Sequence, residues 1–283
     1  MTIKQAILQA VQAFEEAGVP DPRIDAELIL SHLTGLGRMS MLMQGGANLT
    51  SEQEQRFSSL LLSRTQRKPL QYLLGTQAFY GLEFQVDDRV LIPRQETETL
   101  CEWGIAHLRK LKQPRALDLC TGSGAIAVTL KHECPHAEVT AADLSTGALE
   151  VAEANANRNG VEIRFVQGDL WQPLEGRVFE LILSNPPYIP TEECSTLQYE
   201  VMQEPRMALD GGADGLDFYR RIAQGAAVHL APDGLIAVEV GIGEAKDVAA
   251  LFAAAGLQDV QIINDLYGIE RIVSARRRSE NHV

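Results

Sequence analysis

The chain predicts an α/β fold: a mostly parallel sheet covered on both faces by helices, carried behind a helical N-terminal domain. Two patterns predict it. Up to residue 75 the apolar residues recur at helical spacing, and beyond residue 92 short apolar runs alternate with amphipathic segments. Between them lies a stretch with the two-residue period of a strand.

The elements follow in order. Ile3, Ile7, Ala10, Val11 and Phe14 mark a first helix that Gly18 stops. Asp21-Pro22 gives a second helix its N-cap and first-turn proline, with Ile24, Leu28 and Leu33 on its apolar side and Gly35 at its end. Ser51-x-x-Glu54 reads as a capping box opening a third helix through Phe57, Leu60 and Leu61. Pro69 starts a short helix that Gly75 closes, and Met39, Met41 and Met43 read as core filler or a short connecting helix. Residues 79–86 alternate as a strand, and Asp87-Asp88 reads as the turn before Val90-Leu91-Ile92, so a β-hairpin joins the halves. Strands are then expected near residues 116–119, 137–142, 162–166, 179–183 and 235–240, with helices over 125–132, 148–157 and 218–229. Residues 260–263 and 269–275 suggest a closing antiparallel pair around Tyr267-Gly268. The boundaries this implies are a helical domain at 1–75, a hairpin linker at 76–95 and an α/β domain at 96–283.

Composition excludes several classes. The 283 residues are 45% hydrophobic and 22% charged, ordinary for a globular protein. The first 17 residues carry polar groups throughout, which argues against a signal peptide or membrane span. The four cysteines, Cys101, Cys120, Cys134 and Cys194, lack paired metal spacing and read as reduced cytosolic thiols, so no metal site is expected. A net charge of −13 argues against a duplex-binding protein, since phosphate contacts need clustered Lys and Arg. The acidity is uneven: the first 85 residues carry about −1 and the remainder about −12. Arg56, Arg64, Arg67 and Lys68 cluster in the first segment, as a solvated helix face or as a docking surface for a partner.

Two loops carry the chemistry. Leu117-Asp118-Leu119-Cys120-Thr121-Gly122-Ser123-Gly124 is a strand running through a glycine loop into a helix, where backbone can approach a ligand closely. Gly122-x-Gly124-x-x-Ala127 with Asp143 also fits a dinucleotide fingerprint. Three features favour S-adenosylmethionine over a dinucleotide. Asp118 precedes the glycines, Gly168-Asp169-Leu170-Trp171 brings an aromatic residue for an adenine, and Asn185 to Tyr188 follows, while Asp143 would take the ribose hydroxyls. The second loop is Asn185-Pro186-Pro187-Tyr188, an apolar strand stopped by two prolines. Asn185 and the Pro186 carbonyl can accept amide protons and Tyr188 offers a stacking face, which hydride transfer does not need. The tetrapeptide looks like the signature of enzymes that methylate amide or exocyclic amino nitrogens.

On these residues the chain resembles the glutamine-N5 methyltransferases that modify peptide chain release factors. The resemblance runs over nearly the whole length. It includes Asp25-Ala26-Glu27-Leu28, Pro69-Leu70-Gln71-Tyr72, Phe79-Tyr80-Gly81, Pro93-Arg94-Gln95-Glu96-Thr97-Glu98, Glu204-Pro205 with Ala208-Leu209, Asp214-Gly215-Leu216 and Asp265-Leu266-x-Gly268. Cys120 and Gln95 depart from it, standing where the family usually has glycine and proline. The resemblance implies a Rossmann-like class I methyltransferase domain with a seven-stranded sheet behind an N-terminal helical domain. It also implies a cytoplasmic monomer that methylates the glutamine of a Gly-Gly-Gln loop, a translation-termination substrate, without direct nucleic-acid or membrane contact. Asn185, Pro186, Pro187 and Tyr188 would hold the substrate, with Asn185, Pro186 and Tyr188 catalytic. Asp118, Cys120, Thr121, Gly122, Ser123, Gly124, Asp143, Trp171 and Asn185 would hold S-adenosylmethionine. Two other readings stand beside this one: an exocyclic amino group of a nucleic-acid base as acceptor, and a non-catalytic adaptor.

Overall fold

Thr2 opens the first helix with a capping box: its side chain accepts from Gln5 N while the Gln5 side chain reaches back to the Thr2 N–H. This computed structural model describes residues 1–278. Helices α1 (Ile3–Glu16), α2 (Pro22–Thr34), α3 (Arg38–Met43), α4 (Ser51–Thr65) and α5 (Leu70–Leu74) make a helical unit. Phe14, Ile29, Leu30 and Phe57 are fully buried in its core.

Three expectations are corrected here. The box opening α4 is Thr50 with Gln53, one residue earlier than Ser51 and Glu54, because Thr50 takes the extended conformation an N-cap requires. On α2 the buried apolar side is Ala26, Ile29, Leu30 and Leu33, whereas Ile24 and Leu28 are 54% and 44% exposed. Of the three methionines only Met41 is buried; Met39 and Met43 are exposed on α3.

The chain forms two compact units, Met1–Gly75 with Gln198–Gln203, and Thr76–Leu197 with the chain from Glu204 onward. The short segment is tied into the helical unit by charge. Arg64 is 3% exposed and donates to Asp25 at 2.7 Å and to Glu200 at 2.9 Å. Arg67 grips the same Glu200 through two bonds, at 2.6 and 2.7 Å. Arg64 and Arg67 are therefore engaged within the unit and do not form a solvated docking face, while Arg56 remains exposed.

The second unit starts with a hairpin of β1 (Thr76–Phe79) and β2 (Leu82–Gln85). Its turn is Tyr80-Gly81, not Asp87-Asp88. Both turn residues take positive φ, 50° and 73°, as a two-residue hairpin turn demands. Residues 90–92 form no strand; the Ile92 N–H is satisfied by the Glu204 carboxylate at 3.0 Å. Buried Asn155 fastens the hairpin, exchanging two hydrogen bonds with the Gln85 backbone and giving a third to Ser123 O.

Then come α6 (Glu96–Leu108), which the sequence reading did not assign, β3 (Arg115–Leu119), α7 (Ala125–Glu133), β4 (Glu138–Asp143), α8 (Thr146–Arg158), β5 (Arg164–Gln167) and β6 (Phe179–Ser184). The chain ends with α9 (Asp217–His229), β7 (Leu230–Glu239), α10 (Ala245–Ala254, also unassigned), β8 (Gln258–Asn264) and β9 (Glu270–Arg276). The seven-stranded sheet has the order β5-β4-β3-β6-β7-β9-β8, parallel through β7 and antiparallel at β9 and β8. Alternate residues feed two cores. Leu181 and Leu183 of β6 face Leu100, Ile105 and Leu130, while Ile182 joins Tyr219, Ile222 and Phe252. The register Leu119↔Ser184 and Ser184↔Val238 brings the ends of β3, β6 and β7 to one edge. That edge is where an open α/β sheet binds its ligand.

Replacing Arg64 with Met should destabilise the helical unit by about 3–5 kcal/mol, because two carboxylates lose their buried counter-ion. Arg56→Met should change stability by less than about 0.5 kcal/mol. Denaturant titration separates the two. Burial raises the Glu200 carboxyl, but hydrogen bonds from Arg67 and Arg64 outweigh it and bring it down to about 2. Its folded pKa lies below its unfolded value, so its stabilisation is present above 4.5 and is lost as pH falls toward 2.

Candidate active site

The loop after β3 is held by two carboxylates from opposite sides. Asp118 is fully buried beneath it, and its Oδ2 accepts from Thr121 Oγ1 at 2.5 Å and from Ala127 N at 3.1 Å. Burial raises this carboxyl to about 7, against the pull of those two bonds. Asp143, at the end of β4, accepts from Gly122 N and Ser145 N, each at 2.9 Å. Burial raises it too, opposed by the same backbone N–H groups. Within the loop Gly122 and Gly124 take φ of 54° and 81°. A Cβ at Gly124 would stand 3.0 Å from Ala152 Cβ, so glycine lets α7 start against α8.

A cavity of about 410 Å³ opens over this loop. Cys120, Thr121, Gly122, Ser123 and Asp143 border it on one side, and Asn185, Pro187 and Arg94 on another. Asn185 decides its chemistry. Its Nδ2 donates to Thr97 Oγ1 at 3.1 Å, while its Oδ1 is buried and has no partner. A polar oxygen left unmatched in a dry wall is costly, so such atoms mark places where a ligand completes the bonding.

Residues 5–75 match the family described as the PrmC N-terminal domain, and residues 102–215 match the methyltransferase small domain. The chain is 44% identical over 263 residues to the release factor glutamine methyltransferase of Geobacter sulfurreducens, covering 92% of each protein. It is 42% identical over 277 residues to that of Deinococcus radiodurans, covering 98% of this chain and 99% of the relative. This chain belongs to the release factor glutamine methyltransferases. The crystal structure of a methyltransferase from Pyrococcus furiosus shares the fold, with a TM-score of 0.52 at 18% identity over 81% of this chain and 100% of that one.

The fold of these methyltransferases brings most of the expected residues together and turns four of them elsewhere. Trp171 does not border the cavity. Its ring stacks on His229 at 4.7 Å and its Nε1 donates to Arg221 O at 3.0 Å, in a space left by Gly225. Leu170 takes a φ of 51° and faces the cavity in its place, beside Asp169, which pairs with Arg221. Asp118 lies under the loop and so supports it without reaching the cavity. Tyr188 is drawn away by Ile189, which exchanges backbone bonds with Leu209 and Gly211. Its ring packs beside Gly241, and burial raises its hydroxyl to about 12. Pro186 is buried behind Pro187, which borders the cavity.

Several residues were missed. Thr97 and Glu204 are 5% exposed and stand in quoted motifs without an assigned role. Glu204 pairs with Arg94 and holds Ile92 N. Glu239, at the end of β7, is 2% exposed, and no motif signalled it.

Asp143→Ala should weaken S-adenosylhomocysteine binding at least about tenfold by calorimetry, since a charged hydrogen bond is worth about 1.5–3 kcal/mol. Trp171→Phe should leave that affinity unchanged and lower the thermal midpoint instead. Intact affinity in the first variant, or a large loss in the second, would reverse these two assignments.

Proposed function

We propose that this protein transfers a methyl group from S-adenosylmethionine to the side-chain amide nitrogen (N5) of the glutamine in the Gly-Gly-Gln loop of peptide chain release factors. The observation that carries the reading is the buried, unpartnered Asn185 Oδ1 on the wall of a cavity bordered by a glycine loop. The names of the relatives agree with it.

The donor fits the residues present. Asp143 has carboxylate lone pairs for ribose hydroxyls, and the backbone at Thr121 and Gly122 admits close approach. The donor supplies an electrophilic methyl carbon on a sulfonium. The protein's part is to prepare the acceptor. An amide nitrogen is a poor nucleophile because its lone pair is delocalised into the carbonyl. Asn185 Oδ1 accepts one of its protons. An acceptor held there favours a pyramidal nitrogen that gains positive charge as it reacts. The nitrogen becomes acidic once charged and sheds its proton afterwards, so no strong base is required. Apolar Phe79, Val90 and Leu170 around the cavity exclude competing water.

The helical unit serves to recognise the protein substrate. A single glutamine offers little surface, whereas specific interfaces bury about 800 Å² per partner. Because Arg64 and Arg67 are engaged internally, the better contacts are Ile24 and Leu28, exposed on neighbouring turns of α2. On this reading the enzyme works as a monomer in the cytosol, without direct nucleic-acid contact. No helix among the described residues is long and apolar enough to cross a membrane.

Labelled S-adenosylmethionine, incubated with release factors and followed by peptide mass, should place the methyl on the Gly-Gly-Gln glutamine. Asn185→Ala should lower the rate on the order of 10²-fold while cofactor binding persists. Label appearing on nucleic acid and not on the factor would overturn the assignment. Ile24→Glu with Leu28→Glu should slow methylation of the intact factor and leave a short Gly-Gly-Gln peptide unaffected. Equal rates on both substrates would give the helical unit some other task.

A further inference from the structure

An asparagine side chain can present either its oxygen or its nitrogen, and the two ends have nearly the same shape. Only the oxygen can accept the proton of an incoming amide. Something must therefore decide which end of Asn185 faces the cavity. Its hydrogen-bonded neighbour is Thr97 Oγ1, buried at the start of α6, and a hydroxyl can donate or accept. Thr97 by itself leaves the choice open.

The choice is made one residue further back. Thr97 also stands against the Glu239 carboxyl, which is 2% exposed, whose charged form the Thr97 hydroxyl favours and whose Oε2 has no partner. An ionised carboxylate is an acceptor only. It takes the Thr97 hydroxyl proton, which leaves the Thr97 oxygen as an acceptor toward Asn185. Asn185 must then turn its Nδ2 to Thr97, as observed, which leaves its unpartnered Oδ1 for an incoming amide.

We propose that Glu239 and Thr97 are positioning residues for methyl transfer, a two-step relay that fixes the carbonyl end of Asn185 toward the substrate amide. The inference rests on the function proposed above, since an amide acceptor is what requires that orientation. Glu239 does not border the cavity, and Thr97 borders it beside Asn185. Both act through Asn185.

The surroundings of Glu239 suit a group whose charge matters. Burial raises it to about 7, against the Thr97 bond and the charges of Arg271 and Arg94, with Glu96 adding to the rise. Cys101 of α6, Tyr188 after β6 and Tyr219 of α9 also face it, and Tyr219 donates to the Glu239 backbone carbonyl at 2.8 Å. When Glu239 takes up a proton it becomes a donor to Thr97, and the constraint on Asn185 is released. The ionised form is the working form, so turnover should be present above neutrality and fall as pH drops through about 7.

The test compares full-length Thr97→Val, Thr97→Ser and Glu239→Gln with wild type. Thr97→Val and Glu239→Gln should lose kcat on the order of 10- to 100-fold, with the Kd for S-adenosylhomocysteine unchanged. Thr97→Ser should recover most of the rate, and Glu239→Gln should lack the fall in rate on the acid side. Hydrogen exchange of the Asn185 side-chain amide by NMR needs no substrate: protection should be strong in wild type and lost in Thr97→Val and Glu239→Gln. Should Thr97→Val fail to fold, the nearly isosteric Glu239→Gln carries the same comparison. Wild-type kcat and protection in Glu239→Gln would overturn the relay. Protected Asn185 in an enzyme that does not methylate release factors would instead overturn the proposed substrate and leave the relay standing.

Discussion

Leaving an amide oxygen dry and unmatched costs about 1–3 kcal/mol, and Asn185 holds such an oxygen at the end of β6. The surrounding arrangement makes that tolerable. The parallel register sets the ends of β3, β6 and β7 side by side. The Ser184 hydroxyl bonds Leu119 O at 2.6 Å, which locks the last residue of β6 to the start of the glycine loop. Asn185 follows directly, with its other end committed to Thr97. The unmet bond is thus carried by a rigid strand end, where its direction survives thermal motion.

Around it the carboxylates do unlike work although three of them share a raised pKa. Asp118 spends its bonding on Thr121 and Ala127, shaping the loop from below. Asp143 does the same from the side while keeping a face on the cavity. Glu239 acts on the other loop. Burying several acids in one unit is costly when they ionise. Asp118 and Glu239 both have folded pKa values near 7, above their ordinary values, so they favour the folded state most at low pH and less as pH rises toward 7. The working range of the site and the contribution of these two carboxyls to stability therefore pull in opposite directions.

Much of this was legible in the sequence. Apolar runs stopped by glycine or proline located the strand ends, and the residues just after them carry the glycine loop, Asp143 and Asn185. Three failures share one cause: which way a side chain leaves a turn is decided by backbone angles that composition does not reveal. Leu170 at a φ of 51° and the pinning of Ile189 turn Trp171 and Tyr188 from the cavity. Tyr80 at 50° moves the hairpin turn ahead of the acidic pair that resembled one. Thr97 and Glu239 stayed hidden because their importance comes from a chain of neighbours leading to Asn185, which joins α6, β6 and β7 only after folding. The arginine cluster misled because its partner Glu200 lies far along the chain.

That distance bears on how the protein is made. Arg64 and Glu200 are separated by 136 positions. Synthesis runs from the N-terminus, and domains commonly fold in the order in which they emerge. Here Arg64 has only Asp25, and Arg67 lacks Glu200, until β3, β4 and β6 have left the ribosome and residues 198–203 follow. A nascent chain arrested before Glu200 carries five helices in which Arg64 and Arg67 lack the carboxylate they share. The first part of this protein to be synthesised is among the last to be finished.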